Sequence, residues 1–92
     1  MGAKRVKLTV SGEVQGVGYR FFAMKTAKQL GILGWVRNTP DGTVALEIEG
    51  EEQVLNEYIF SLQKKHPWAR VNDIQKEWQA FTGNFQSFEI TG

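Results

Sequence analysis

The stretch GEVQGVGYR, residues 12–20, separates a run of alternating residues from a run with helical spacing. It holds Gly12, Gly16 and Gly18 and ends in Arg20. After Ser11 it offers no Ser, Thr, Asp or Asn to cap the helix that follows. A helix start leaves about four backbone N–H groups without partners, and side-chain caps normally take some of them. Glycines in place of a cap, with an arginine just inside the helix, make an outside anion the natural partner. On spacing alone a tight turn would serve as well as a phosphate cradle. Arg20 is the more specific signal, because a guanidinium offers a planar fork that matches two phosphoryl oxygens and stays charged at any working pH.

Upstream, Val6, Leu8 and Val10 alternate with Arg5, Lys7 and Thr9. A period of two predicts a strand over 4–10 with one buried face, its basic residues forming the wet side of an antiparallel sheet. Downstream, Phe22, Ala23, Ala27 and Leu30 share one stripe at helical spacing, which predicts a helix over 20–30 ended by Gly31. Phe21 and Phe22 are expected to pack in the core. Residues 32–38 predict a second strand, and Thr39-Pro40-Asp41-Gly42 a turn in which proline sets one φ and Asp-Gly allows positive φ. Residues 43–49 alternate again and complete a hairpin. Glu51 and Glu52 open a second helix at its positive end, Val54, Leu55, Tyr58, Ile59 and Leu62 form its stripe, and Pro67 stops it. Residues 69–78 form a weaker strand that breaks strict period, as a bulge would. Phe88 and Ile90 alternate in the tail and could add a short final strand, with Phe81 and Phe85 packed under the loop before it.

The order is β-α-β-β-α-β. One four-stranded antiparallel sheet in the order 4-1-3-2, with two helices on one face, buries every stripe. Two split βαβ units with right-handed crossovers give this α+β, ferredoxin-like sandwich.

The chain has 92 residues, the length of one domain over 1–92. Eleven basic and ten acidic residues give a formal net charge of +1, with no global field to attract nucleic acid or a membrane surface. The stretch 43–49, TVALEIE, is acidic and lacks the aromatics an RNA-recognition sheet would show. There is no cysteine, so thiolate metal sites and disulfides are excluded, in keeping with a reducing, cytoplasmic setting. A single histidine, His66, excludes a two-histidine metal site; at a helix end before Pro67 it reads as a cation near the dipole or a surface residue. Glu47, Glu49, Glu51 and Glu52 read as a solvated edge rather than a metal cluster. The glycine loop lacks the Gly-Lys-Ser/Thr ending of a Walker motif. What remains is 15–20 and Asn38. The asparagine either initiates the turn by bonding its own backbone or belongs to the site.

At this point two stretches resemble the signatures of the acylphosphatase family. They are GEVQGVGYR, residues 12–20, and GILGWVRNTPDGTV, residues 31–44. Their order and separation are similar to the family's, and the likeness covers essentially the whole chain. The resemblance implies a ferredoxin-like fold and hydrolysis of the carboxyl-phosphate bond of small acyl phosphates, without metal or cofactor. It implies that Arg20 binds the phosphoryl group and that the amides of Gln15, Gly16, Val17, Gly18, Tyr19 and Arg20 form the cradle. Asn38 would position the attacking water, and Thr39 would support Asn38. The expectation is a monomeric cytoplasmic enzyme whose partner is a small molecule, neither nucleic acid nor membrane.

Overall fold

The computed structural model describes residues 2–92. Its elements run β1 (Ala3–Glu13), α1 (Tyr19–Leu30), β2 (Leu33–Asn38), β3 (Val44–Glu51), α2 (Glu52–Lys64), β4 (Arg70–Ala80) and β5 (Phe88–Ile90). The sheet order is β4-β1-β3-β2-β5. The expected order 4-1-3-2 survives inside it, but the sheet has five strands rather than four. The fifth, β5, lies parallel to β2, with Gly34 opposite Phe88 and Val36 opposite Ile90. Phe88 is buried and makes an edge-on contact with Tyr58 of α2, so the tail closes the sheet edge that β2 would otherwise expose.

Alternation decides the faces. Val6, Leu8 and Val10 of β1 stand opposite Ile48, Leu46 and Val44 of β3. All six are fully buried under the helices. Fully burying an aliphatic side chain of this kind contributes about 1.5–3 kcal/mol, so this double row is the main adhesive of the sandwich. Gly34 sits where β2 crosses β3; a Cβ there would run into the Glu47 carbonyl, so no other residue fits. Where β1 meets β4, Ser11 pairs with Asp73 but Gly12 pairs with Val71. Asn72 is the extra residue of the anticipated bulge.

The helices are joined by a reciprocal pair of tyrosines. Tyr19 Oη donates to the Leu62 carbonyl at 2.7 Å and Tyr58 Oη donates to the Ala23 carbonyl at 2.7 Å. Both rings are buried, and burial raises both phenol pKa values, with the neighbouring Tyr19 adding to the rise at Tyr58. Gly31, at φ 73°, ends α1: its N–H meets the Lys28 carbonyl and the N–H of buried Ile32 meets the Ala27 carbonyl.

The open face of the sheet differs from expectation. Glu49 is not a solvated edge residue; it is 3% exposed. Its carboxylate accepts from Thr82 N–H at 2.7 Å, Thr82 Oγ1 at 2.6 Å, Gly83 N–H at 3.1 Å and Arg5 at 3.2 Å. Burial alone would raise its pKa, but the bonds from Thr82, Arg5 and Gly83 outweigh it and hold the carboxyl below its ordinary value. Arg5 also pairs with Glu47 at 3.1 Å and lies over the Phe85 ring. The loop after β4 is thus fastened by a buried carboxylate. The expected packing under that loop is met only in part, since Phe81 stays half exposed.

Candidate active site

The loop between β1 and α1 is built from two interleaved sets of residues. Val14 and Tyr19 are buried and Val17 is packed against the core, while Gln15, Gly16 and Gly18 face outward. Gly16 and Gly18 adopt φ 79° and φ 77°. A Cβ at either would meet nothing within 4 Å, so the backbone angle, not crowding, demands glycine there. The apolar anchors hold the loop down and the glycines turn its backbone out.

Gly18 is the N-cap of α1 and supplies no side-chain bond, and the first turn has no acidic residue. The first helical bond is Phe22 N–H to the Gly18 carbonyl at 3.1 Å. Among the described residues, no acceptor meets the amides of residues 15 to 20. They stand at the positive end of the α1 dipole. The helix begins at Tyr19, one residue before the expected Arg20, because the Tyr19 side chain is drawn into the core toward Leu62.

Asn38 is the last residue of β2 and lies opposite Val44, so its side chain projects on the helix side of the sheet. Its N–H donates to the Gly92 main-chain oxygen at 3.1 Å. The same oxygen accepts Arg20 Nη1 at 2.5 Å. One main-chain oxygen of the tail therefore joins the guanidinium to the end of β2, although Arg20 and Asn38 are eighteen residues apart in the chain. Asn38 Oδ1 is buried and accepts no hydrogen bond from any described residue. A buried amide oxygen left so costs roughly 1–3 kcal/mol. The side chain does not cap its own turn, which removes the turn-initiating reading of this asparagine.

Turn chemistry falls to its neighbours. Thr39 Oγ1 donates to Asp41 Oδ1 at 2.5 Å and lies 2.6 Å from Thr43 Oγ1; Thr43 N–H and Oγ1 also reach Asp41 Oδ1. The Thr39 hydroxyl is thus engaged within the turn, and any support it lends to Asn38 passes through the backbone. Bonds from the Thr39 hydroxyl first, then the Thr43 hydroxyl and amide, lower the Asp41 pKa from 3.8 to about 2. A folded-state pKa below the unfolded one stabilises the protein above the unfolded value and ceases to do so as pH falls through the folded one. Asp41→Asn should therefore have a lower Tm than the parent above about pH 4, and the gap should close as the pH falls to about 2. Thermal melts across that window check this; a gap independent of pH would refute it.

Gln15 was expected to contribute only its amide. Its side chain does more: Nε2 donates to the Thr39 carbonyl at 2.9 Å and the Thr43 carbonyl at 2.8 Å. It ties the glycine loop to the turn that follows Asn38. The sequence held no signal for this, since a glutamine in a loop reads as solvated. Phe21 also departs from expectation: it is 60% exposed rather than in the core, while Phe22 packs partly inward. His66 is half-buried and is not a free surface residue. Its Nδ1 accepts from Trp68 N–H at 3.1 Å and Ala69 N–H at 3.0 Å, and its ring packs edge-on against Phe22. No group of three or more His, Cys, Asp or Glu suited to a metal occurs among the described residues.

Comparison with known proteins adds an independent line. The acylphosphatase family model matches residues 6–90. An acylphosphatase of Bacillus pumilus is 40% identical over 83 residues, covering 90% of this chain and 92% of its own. One of Pelotomaculum thermopropionicum is 39% identical over 90 residues, covering 98% of each. The crystal structure of an acylphosphatase from Bacillus subtilis superposes with a TM-score of 0.92 at 30% identity, over 97% of this chain and 99% of that one.

Proposed function

The chain belongs to the acylphosphatase family, and from that membership we propose that it hydrolyses small acyl phosphates to a carboxylate and inorganic phosphate. The outward amides of Gln15, Gly16, Val17, Gly18, Tyr19 and Arg20, with the Arg20 guanidinium, hold the phosphoryl oxygens. Asn38 aims the attacking water. The observation that carries this reading is the buried Asn38 Oδ1, without a partner among the described residues, in a residue whose backbone N–H shares the Gly92 main-chain oxygen with Arg20. A buried acceptor that no protein donor engages is free to take a donor that arrives with the reaction.

The chemistry needs little else. Water oxygen bonds to phosphorus, the bond from phosphorus to the acyl oxygen breaks, and its electron pair leaves as a carboxylate. A carboxylate is a good leaving group, so no strong general acid is required. The transition state is loose, with charge spread over the equatorial oxygens, so positioning and preorganised donors supply most of the rate. With Nη1 on Gly92, the remaining guanidinium N–H groups of Arg20 stay available to two of those oxygens. An amide cannot accept the proton as a base. The proton of the attacking water passes to a phosphoryl oxygen of the substrate.

The protein is proposed to act as a monomer in the cytoplasm, with a small acyl phosphate as its partner and no cofactor. Among the described residues, no helix is long and apolar enough to cross a membrane. The test is phosphate release from acetyl and benzoyl phosphate, with EDTA present throughout, by the wild type and by the Arg20 variant discussed below. Turnover by the wild type is expected; tight phosphate binding without turnover would make it a binding protein instead.

Gln15 supplies a separate check on the geometry. Gln15→Ala removes both bonds between the loop and the Asn38 turn and should lower kcat about tenfold, as a displacement of well under 1 Å between cradle and water suffices for that. The same change should cost only about 1 kcal/mol of stability, since both bonds are exposed. Unchanged kcat would show that loop and turn are aligned by something other than this side chain.

A further inference from the structure

The wall beside the cradle is apolar. Phe21 and Ile90 are 60% and 40% exposed. Both line one cleft of about 230 Å³ together with Gly16, Gly18, Tyr19 and Arg20. Nothing in the fold requires a phenylalanine at 21. The stripe of α1 that faces the sheet is supplied by Tyr19, Ala23 and Ala27, and Phe21 points off it. Ile90 belongs to β5, which the edge of β2 brings alongside α1. Two large apolar side chains, from the first turn of α1 and from β5, thus meet solvent at the one place where the cradle opens.

We propose that Phe21 and Ile90 seat the acyl group, and that the site favours acyl phosphates with an aromatic or branched apolar body over short or charged ones. The proposal rests on the hydrolase reading above. Once the phosphoryl group is fixed in the cradle, the rest of the substrate must leave along the cleft. Its walls offer an aromatic ring and a branched aliphatic chain, and their burial against a matching group is favourable. Among the described residues that line the cleft, Arg20 alone carries a charged side chain, and the phosphoryl group engages it. A second carboxylate or an ammonium on the acyl group would find no partner there. The cleft lies below the roughly 300–1,000 Å³ of pockets that enclose drug-sized ligands, so the acyl body lies against the wall and is not enclosed.

The test measures binding and turnover separately. Phenacylphosphonate and acetonylphosphonate carry the benzoyl and acetyl bodies on a bond that water does not cleave. Calorimetry with wild type, Phe21→Ser and Phe21→Leu reads the seat without any reaction. Phe21→Ser should weaken phenacylphosphonate roughly fivefold to tenfold, leave acetonylphosphonate within about twofold, and be largely rescued by Phe21→Leu. KM for benzoyl phosphate should rise in step, with kcat unchanged. Because Phe21 lies outside the core, the fold is expected to tolerate both changes. Equal weakening of both phosphonates, or of neither, would overturn the proposal. Selective phenacylphosphonate binding without turnover of benzoyl phosphate would support the seat while rejecting the hydrolase.

Discussion

Arg20→Ala should lose at least about 10³-fold in kcat/KM for acetyl phosphate, within the range lost when the arginine that neutralises a transferring phosphoryl group is removed. The physical case is the charge of the site. Among the described residues that line the cleft, Arg20 alone carries a charged side chain, and the amides beside it carry only partial charges. A phosphoryl group with two negative charges and a carboxylate leaving group leave no surplus of donors. The variant also removes one of the two donors on the Gly92 main-chain oxygen, which takes Arg20 Nη1 and the Asn38 N–H, so the end of β2 loses a constraint. Arg20→Lys should recover only a small part of the loss. It restores a charge but not the planar fork that can hold Gly92 and the phosphoryl oxygens together. Both variants should melt close to the wild type, because the side chain lies at the mouth of the cleft. A variant retaining more than a tenth of the activity would remove Arg20 from the mechanism.

Asn38→Ala should lower kcat by roughly 10²–10³-fold with little change in KM, as expected for a group that acts on water and not on the phosphoryl group. Stability should move the other way. Most truncations of inward-facing polar residues destabilise because a partner is left unpaired. Here Oδ1 has no partner to strand, and the backbone bond to Gly92 survives in alanine. The Tm of Asn38→Ala should therefore equal or exceed that of the wild type. Such an exchange of stability for activity marks a residue kept for function. A substantial fall in Tm together with the loss of activity would point instead to a structural role for this side chain. Asn38→Asp would separate the two further. A carboxylate there accepts from water as well as an amide does, but repels the phosphoryl group, so KM should rise.

Several segments between residues 4 and 48 show where local reading succeeds. Val6, Leu8 and Val10, the stripe of α1, Gly31 and the Pro40-Asp41-Gly42 turn each act through neighbours a few positions away, so period and turn chemistry locate them. The glycines at 16 and 18 and the uncapped start of α1 were legible for the same reason: positive φ and missing caps are local properties. The failures share a cause as well. Glu49 reads as solvated because its partners, Thr82 and Gly83, lie more than thirty residues on. Phe21 reads as core because a stripe assigned from spacing has uncertain edges, and its rotation is set by where Tyr19 docks. A three-residue strand such as β5 has too few alternations to announce its partner or its direction.

By itself, then, the order of residues in this chain determined the sandwich, the glycine loop with its positive φ angles and the uncapped start of α1. Backbone angle, period and charge are written into each segment and need no partner to be expressed. Only the folded chain decided that the Gly92 main-chain oxygen holds Arg20 and Asn38 together, that Gln15 fastens loop to turn, and that Phe21 and Ile90 flank the glycine loop. Those are distances between segments far apart in sequence. They follow from how twisted strands and two helices exclude water jointly, a property no single segment possesses.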